Sequence, residues 1–202
     1  MNIAIIGAGN IGTTLGSRWS AAGYGVDYGV RAPADAKYDA LRASAGTDAV
    51  VEVAAAVDAA AVVVLAVPGA AVADVVAEHG ARMAGKIVVD TTNNMRGATL
   101  HNVDLIAAQA PGAIQARAFS TLGWENFADP LIDGVPIDLF YCADPAAREV
   151  AERLIADVGL RPVYVGGRDA AAAVDGVARL WFALAFGQGH GRRIAFKLLA
   201  EQ

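Results

Sequence analysis

The sequence predicts an α/β fold, a doubly wound and mainly parallel sheet with a short C-terminal helical appendage. Three observations carry that expectation. Short apolar runs alternate with helix-periodic segments from Asn2 to Asp90. The first run, Asn2–Ile6, stops at a glycine turn that opens an amphipathic segment. With 202 residues, 55% of them apolar, the chain is long enough to bury a core without disulfides or a structural metal.

Each element follows from its residues. Asn2–Ile6 reads as a buried strand. Ile11, Leu15 and Trp19 recur at every fourth position, which sets a helix over Gly12–Ala22, closed by Gly23. Gly25–Val30 is the next strand, and Pro33–Ala45 a polar loop and helix with Tyr38 and Leu41 facing in. Thr47–Val51 reads as a short strand leading into a helix to Ala56. Ala61–Val67 is a central strand stopped by Pro68-Gly69; Ala71–His79 is helical and Lys86–Asp90 a strand. Further on, Gln115–Ser120, Asp138–Cys142 and Pro162–Val165 are strand candidates. Pro145–Val158 is an amphipathic helix ending at Gly159, Ala170–Phe186 an apolar helix, and Arg192–Ala200 a short final helix. No linker separates the halves. The chain therefore reads as one dinucleotide-binding domain, residues 1–202: a nucleotide-binding half, 1–95, and a second half, 96–202, that lines an acceptor pocket and carries the C-terminal helices.

The turn after the first strand is Gly7-Ala8-Gly9-Asn10-Ile11-Gly12, a G-x-G-x-x-G between strand and helix, which is the context that gives the motif its meaning. Gly7 permits the sharp turn, Gly9 lets the backbone approach a pyrophosphate, and Gly12 lets helix and strand pack closely. The N–H groups of the helix start and the positive end of its dipole face the phosphates, and Asn10 and Ile11 of the turn are expected to bind the cofactor with the glycines. This is a Rossmann-type site. The end of the second strand reads Gly29-Val30-Arg31-Ala32-Pro33. The carboxylate that holds the 2′-hydroxyl in NAD sites is missing there, and Arg31 offers a guanidinium suited to a 2′-phosphate, so the expected nucleotide is NADP(H).

Composition narrows the partners. The formal net charge is −5 and no basic cluster exceeds Arg192-Arg193, which argues against a nucleic-acid partner. Cys142 is the sole cysteine, so no internal disulfide forms, and a small buried residue in a strand is expected. His79, His101 and His190 are scattered without metal-ligand spacing, so no metal site is expected. No targeting segment is visible, and Ala59–Pro68 and Val177–Phe186 fall short of the roughly 20 residues that cross a bilayer. A cytoplasmic protein without membrane contact is the expectation.

Ligands of such folds lie at the carboxyl ends of the strands. Val67 and Pro68 are expected to pack along the cofactor, with Thr92 and Asn93 hydrogen-bonding a nicotinamide carboxamide. Ser120, Thr121, Leu122 and Trp124 fall where a second ligand would meet the nicotinamide, with Phe119 and Phe127 either a platform or core. No Tyr-x-x-x-Lys, no Ser-His-Asp set and no paired-carboxylate site is present, and the three lysines, Lys37, Lys86 and Lys197, follow no late core strand. No side-chain acid or base is therefore assigned. Hydride passing directly between two redox cofactors needs none, only stacking and orientation.

These residues resemble a family. Val88-Val89-Asp90-Thr91-Thr92-Asn93, Ala118-Phe119-Ser120-Thr121 with Trp124-Glu125-Asn126, Leu160–Gly166, the helix around Ala178–Phe186 and Lys197-Leu198-Leu199 are similar to the NADP-dependent oxidoreductases that use the deazaflavin coenzyme F-420. They are also similar to the related cytosolic reductase domain of the six-transmembrane metalloreductases. Gly7–Gly12 and Arg31 are the generic part of the likeness. The resemblance implies NADP(H) as nucleotide and a deazaflavin over the nicotinamide, near Thr92, Asn93, Ser120, Thr121 and Leu122. Where relatives carry Ser-Arg or Ser-Arg-Arg after the second strand, this chain has Val30-Arg31-Ala32. The leading expectation is hydride exchange between NADP(H) and coenzyme F-420 or another flavin-like acceptor. The alternatives are reduction of a small imine or carbonyl, and a non-catalytic NADP(H)-binding module. The sparsely charged Val177–Phe186 segment predicts a homodimer, or burial of that helix on the sheet.

Overall fold

The computed structural model describes residues 1–201. Its first strand is the interior strand β1 (Asn2–Ile6), which is buried on both faces: Ile3 and Ile5 join one side of the core, Ala4 and Ile6 the other. Two-sided burial is what a parallel strand between helical layers requires. The chain winds outward through α1 (Asn10–Ala21), β2 (Gly25–Val30), α2 (Asp39–Ala45), β3 (Val50–Glu52) and α3 (Val53–Ala59). It then returns across β1 to β4 (Val62–Leu65), α4 (Val72–His79), β5 (Ile87–Asp90), α5 (Val103–Gln109) and β6 (Ile114–Arg117). After α6 (Glu125–Ala128) and a ribbon of β7 (Leu131–Ile132) and β8 (Val135–Pro136) come β9 (Asp138–Ala143), α7 (Pro145–Val158), β10 (Arg161–Gly166) and α8 (Ala171–Phe182).

The eight-stranded sheet has the order β10-β9-β6-β5-β4-β1-β2-β3. Its strands pair in parallel except β6 with β9, which run antiparallel through Ala116↔Ala143 and Arg117↔Cys142. The Rossmann-type expectation is met: the winding direction reverses between β1 and β4, and the crevice at such a switch point is where ligands sit. One helical layer holds α1 and α7, joined by Trp19 Nε1 donating to Leu154 O at 3.0 Å. The other holds α3, α4 and α5. Cys142 is buried in β9 as expected, and burial pushes its thiol up to about 11.

One expectation at the C-terminal end needs correction, while the apolar helix expected over Ala170–Phe186 is met with a residue or two more at each end. Arg192–Ala200 is not a helix; it is an irregular strap. Its side chains find partners elsewhere: Arg193 with Asp129, Lys197 with Asp138, and the Leu198 N–H with Asp138. Trp181 Nε1 also takes the Ile194 carbonyl at 3.0 Å. These contacts outcompete a short helix of modest intrinsic stability. The apolar helix is longer than its apolar run. Arg168–Gly187 is continuous, with a tight first turn and a π-turn over Ala183–Gly187, and by length and composition alone it could cross a membrane. Instead Val174, Asp175, Ala178 and Trp181 are buried against the rest of the fold, and Asp175 is held in an ion cluster described below.

Candidate nucleotide and acceptor site

The turn between β1 and α1 is built by backbone. Gly7 adopts φ +109°, and a Cβ there would lie 2.6 Å from the Ala66 carbonyl oxygen, so only glycine fits. Gly12 is pressed between the Gly7 carbonyl and Ile5, which fixes how closely α1 approaches the sheet. Above Gly9 there is open space, since a Cβ would meet nothing within 4 Å. The first bonded N–H along the helix is that of Thr13, to Gly9 O at 2.9 Å, so the N–H groups of Asn10, Ile11 and Gly12 precede the ladder. No acidic residue stands in the first turn of α1. Open N–H groups and an uncontested positive dipole end fit a pyrophosphate.

Beside this turn lies a cavity of about 280 Å³. Gly7, Gly29 and Val30 form its floor, Val67 and Pro68 one wall, and Arg31 and Tyr38 the other. Arg31 is exposed and has no hydrogen-bond or ion-pair partner among the described residues. An unengaged guanidinium at the mouth of an adenosine-sized cavity fits a 2′-phosphate. Asp74 and Glu78 of α4 line the same cavity.

The other end of the crevice is built from buried charge. Arg117, at the end of β6, is fully enclosed, and its guanidinium makes four hydrogen bonds and a further ion-pair contact. Nε and Nη2 reach Asp175 Oδ1 at 2.9 and 2.7 Å. Nη1 reaches Asp90 Oδ2 at 3.0 Å and Thr92 O at 2.8 Å, and Nη2 also reaches Asn93 Oδ1 at 3.0 Å. Asp90 accepts in addition from the N–H and hydroxyl of Thr92 and from the Asn102 N–H. Asp175 accepts from the Leu100 and His101 N–H groups at 3.0 and 3.1 Å. Asp90 thus accepts four hydrogen bonds and Asp175 three with an ion-pair contact besides, which is the condition for keeping such a cluster buried.

This network decides what the predicted residues present. The Thr92 hydroxyl donates to Asp90 and accepts from Asn102 Nδ2, so it is turned into the scaffold, away from the cleft. Asn93 is half-buried, with Nδ2 donating to Ser120 O at 2.8 Å. Phe119 takes φ +60°, a left-handed conformation that is costly for an aromatic residue. It is locked there by edge-to-face contacts with Trp19 and Phe127, at 5.6 and 5.5 Å between centroids, so Phe119 and Phe127 are core. Ser120, Thr121 and Leu122 follow this kink and are buried. The hydroxyls of Ser120 and Thr121 are buried and have no partner within the chain. Buried polar atoms rarely stay unpaired, and this pair fits a bound ligand or an ordered water.

The C-terminal strap closes the far wall. Trp124 begins α6, and Glu125 beside it pairs with Arg192 at 2.5 Å. Burial works to raise the Glu125 carboxyl, but Arg192 and Arg193 outweigh it and hold it below the usual range. The Arg192 guanidinium lies 5.7 Å from the ring centres of both Trp181 and Phe186. A Cβ on Gly123 would be 3.2 Å from both Arg192 and Trp181, so the turn after β6 rests directly on the strap and α8. Among the described residues no group of three or more His, Cys, Asp or Glu is placed to hold a metal.

Sequence reasoning missed Arg117, Asp175, Asn102 and Arg192. A signal was present for two of them. Arg117 interrupts a run that reads as a buried strand, and Asp175 an apolar helix; a charge in either place needs a partner.

Comparison with known proteins agrees with the resemblance read from the sequence. Residues 2–94 match the family described as NADP oxidoreductase, coenzyme F420-dependent. Comparison with curated proteins gives no significant sequence match. Among solved structures, a candidate F420-dependent NADP reductase from Arthrobacter sp. FB24 is similar over 99% of this chain and 100% of its own, with TM-score 0.84 and 24% identity. A hypothetical protein from Sinorhizobium meliloti is similar over 100% of this chain and 96% of its own, with TM-score 0.70 and 27% identity. An imine reductase from Pseudomonas sp. shares the fold at TM-score 0.71 and 18% identity, over 93% of this chain but 62% of its own.

Proposed function

We propose that this protein is an NADP(H)-dependent oxidoreductase that exchanges hydride between NADP(H) and coenzyme F-420 or another flavin-like acceptor. The observation that carries the reading is the construction of one crevice. Gly7 of the phosphate turn, a free Arg31, Val67 and Pro68 surround one cavity, and the buried, unpaired Ser120 and Thr121 hydroxyls are read as the acceptor side of the site. The family match over residues 2–94 supports the nucleotide and the reaction class.

In this reading the N–H groups at the start of α1 hold the pyrophosphate and Arg31 holds the 2′-phosphate. Val67 and Pro68 support the ribose, and Asn93 orients the carboxamide. Bound NADP(H) supplies the hydride. Ser120, Thr121 and Leu122 hold the acceptor against the nicotinamide face, with Trp124 at the rim. The proton that accompanies the hydride onto the acceptor ring is exchanged with water, no side chain being assigned to it, and the buried Asp90–Arg117–Asp175 cluster keeps its charges out of the cleft. The setting is cytoplasmic, and a second copy of the chain covers Leu180 and Phe186, which are exposed on α8 and its π-turn.

The test is NADPH oxidation with a deazaflavin, with FMN, and with a panel of imines and carbonyls. Turnover with the deazaflavin or FMN is expected. Saturable turnover with imines or carbonyls alone would move the reading to organic-substrate reduction, and tight binding without any turnover would make the chain a nucleotide-binding module. Light scattering at twice the monomer mass is the expected result for the homodimer; a monomer mass would remove that part.

A further inference from the structure

We propose that Arg117 is a positioning residue for the nicotinamide end of the site, acting through Asn93. The inference rests on the reading that the crevice binds NADP(H), and it assigns a role to a residue that touches no ligand. The argument starts from the amide of Asn93. Its oxygen accepts from Arg117 Nη2 at 3.0 Å, and its nitrogen donates to Ser120 O at 2.8 Å. Reversing the amide would set donor against donor and acceptor against acceptor, so Arg117 fixes which way it points. One amide proton remains after the bond to Ser120. Asn93 is half-buried and its backbone packs against Gly69, next to the cavity-lining Pro68, so on this reading that proton is open to a ligand oxygen. The group it selects is a carbonyl, such as that of a nicotinamide carboxamide, and not a second donor.

Arg117 is suited to this task because it has no freedom. Its guanidinium is planar, fully enclosed, and anchored on both sides by Asp90 and Asp175. The two anchors come from different parts of the fold, Asp90 from the end of β5 and Asp175 from α8. The orientation of Asn93 is therefore set jointly by the strand that ends at the crevice and by the helix that carries Trp181 to the acceptor wall. A lysine at position 117 would keep the charge but offers three donors from a single point. It cannot span both carboxylates and Asn93 together.

The experiment compares two probes by calorimetry. NADPH reaches both ends of the crevice; 2′,5′-ADP reaches only the adenosine end. In Arg117→Lys and in Asn93→Ala, NADPH is expected to bind about five- to twentyfold more weakly, while 2′,5′-ADP stays within about twofold of the wild type. The double variant is expected to be no weaker than either single one, because both remove the same contact. Loss of both probes together would mean that Arg117 only holds the fold, and would overturn the proposal, as would an additive double variant. Should Arg117→Lys not fold, Asn93→Asp decides. It keeps a partner for the guanidinium and removes the outward N–H, so unchanged NADPH affinity there would also overturn the proposal. A wild type that binds neither probe rejects the nucleotide reading itself and the proposal with it, a result distinct from all of these.

Discussion

The two ends of the crevice are built by different physics. At the phosphate end the ligand groups are backbone N–H donors, and the sequence needs only glycines at three positions and a helix behind them. At the end proposed for the acceptor the groups are side chains, arranged around one guanidinium between two carboxylates that lie 27 and 58 residues from it along the chain. The first end is local and tolerant of the rest of the sequence. The second exists only once β5, β6 and α8 have come together. Substitutions that break the ion cluster should therefore act mainly through stability, and removal of an exposed group that faces the ligand, such as Arg31, through binding.

The largest effect follows from the ion cluster. Arg117→Ala leaves two buried carboxylates without their cation, and breaking such a cluster costs about 3–5 kcal/mol. The urea midpoint is expected to fall accordingly, or the chain to fail to fold. A loss under about 1 kcal/mol would mean that water already reaches the cluster, and the contrast between the ends would dissolve.

Next is the strap. Asp138 is buried, and burial works to raise its carboxyl; hydrogen bonds from Arg161, the Leu198 N–H and Lys197 outweigh that and lower it. A carboxyl depressed in the folded state contributes stability that is present above its unfolded value and lost as pH falls through the folded value. Stability should thus fall on acidification from about pH 5 downward. Asp138→Asn should show a smaller drop in urea midpoint between about pH 6 and about pH 3 than the wild type. An equal drop would mean that the strap is held by its apolar contacts alone. At the phosphate end, Gly7→Ala forces a side chain into φ +109° against the Ala66 carbonyl, with an expected cost of about 1–3 kcal/mol. Thermal denaturation checks it, and no change would show that the turn relaxes freely.

The same contrast explains what could be read from the sequence. β1, the glycine turn and α1 are legible because hydrophobic period and turn chemistry agree within a few residues. α7 is legible for the same reason: Pro145 starts it and Gly159 ends it in a left-handed conformation, matching the expected Pro145–Val158. The strap is not legible. Arg192, Arg193 and Lys197 follow helix-like spacing, but their partners Glu125, Asp129 and Asp138 lie some 60 residues away. β7 and β8 carry a local signal that strand periodicity passes over, the pair Asp133-Gly134, both at positive φ in a tight hairpin turn. Of the candidate site, Gly7, Arg31, Val67 and Pro68 line one cavity, whereas the inward turn of Thr92 is fixed by Asn102 and Asp90, which no spacing rule connects.

The most direct measurement is calorimetric binding of NADPH and NADH to the wild type and to Arg31→Ala at a single salt concentration. Arg31 has no structural partner, so its removal should leave the urea midpoint unchanged. The account predicts that NADPH binds at least about tenfold tighter than NADH, and that Arg31→Ala erases the difference while leaving NADH affinity where it was. Equal affinities in the wild type, or a preference that survives Arg31→Ala, would contradict it.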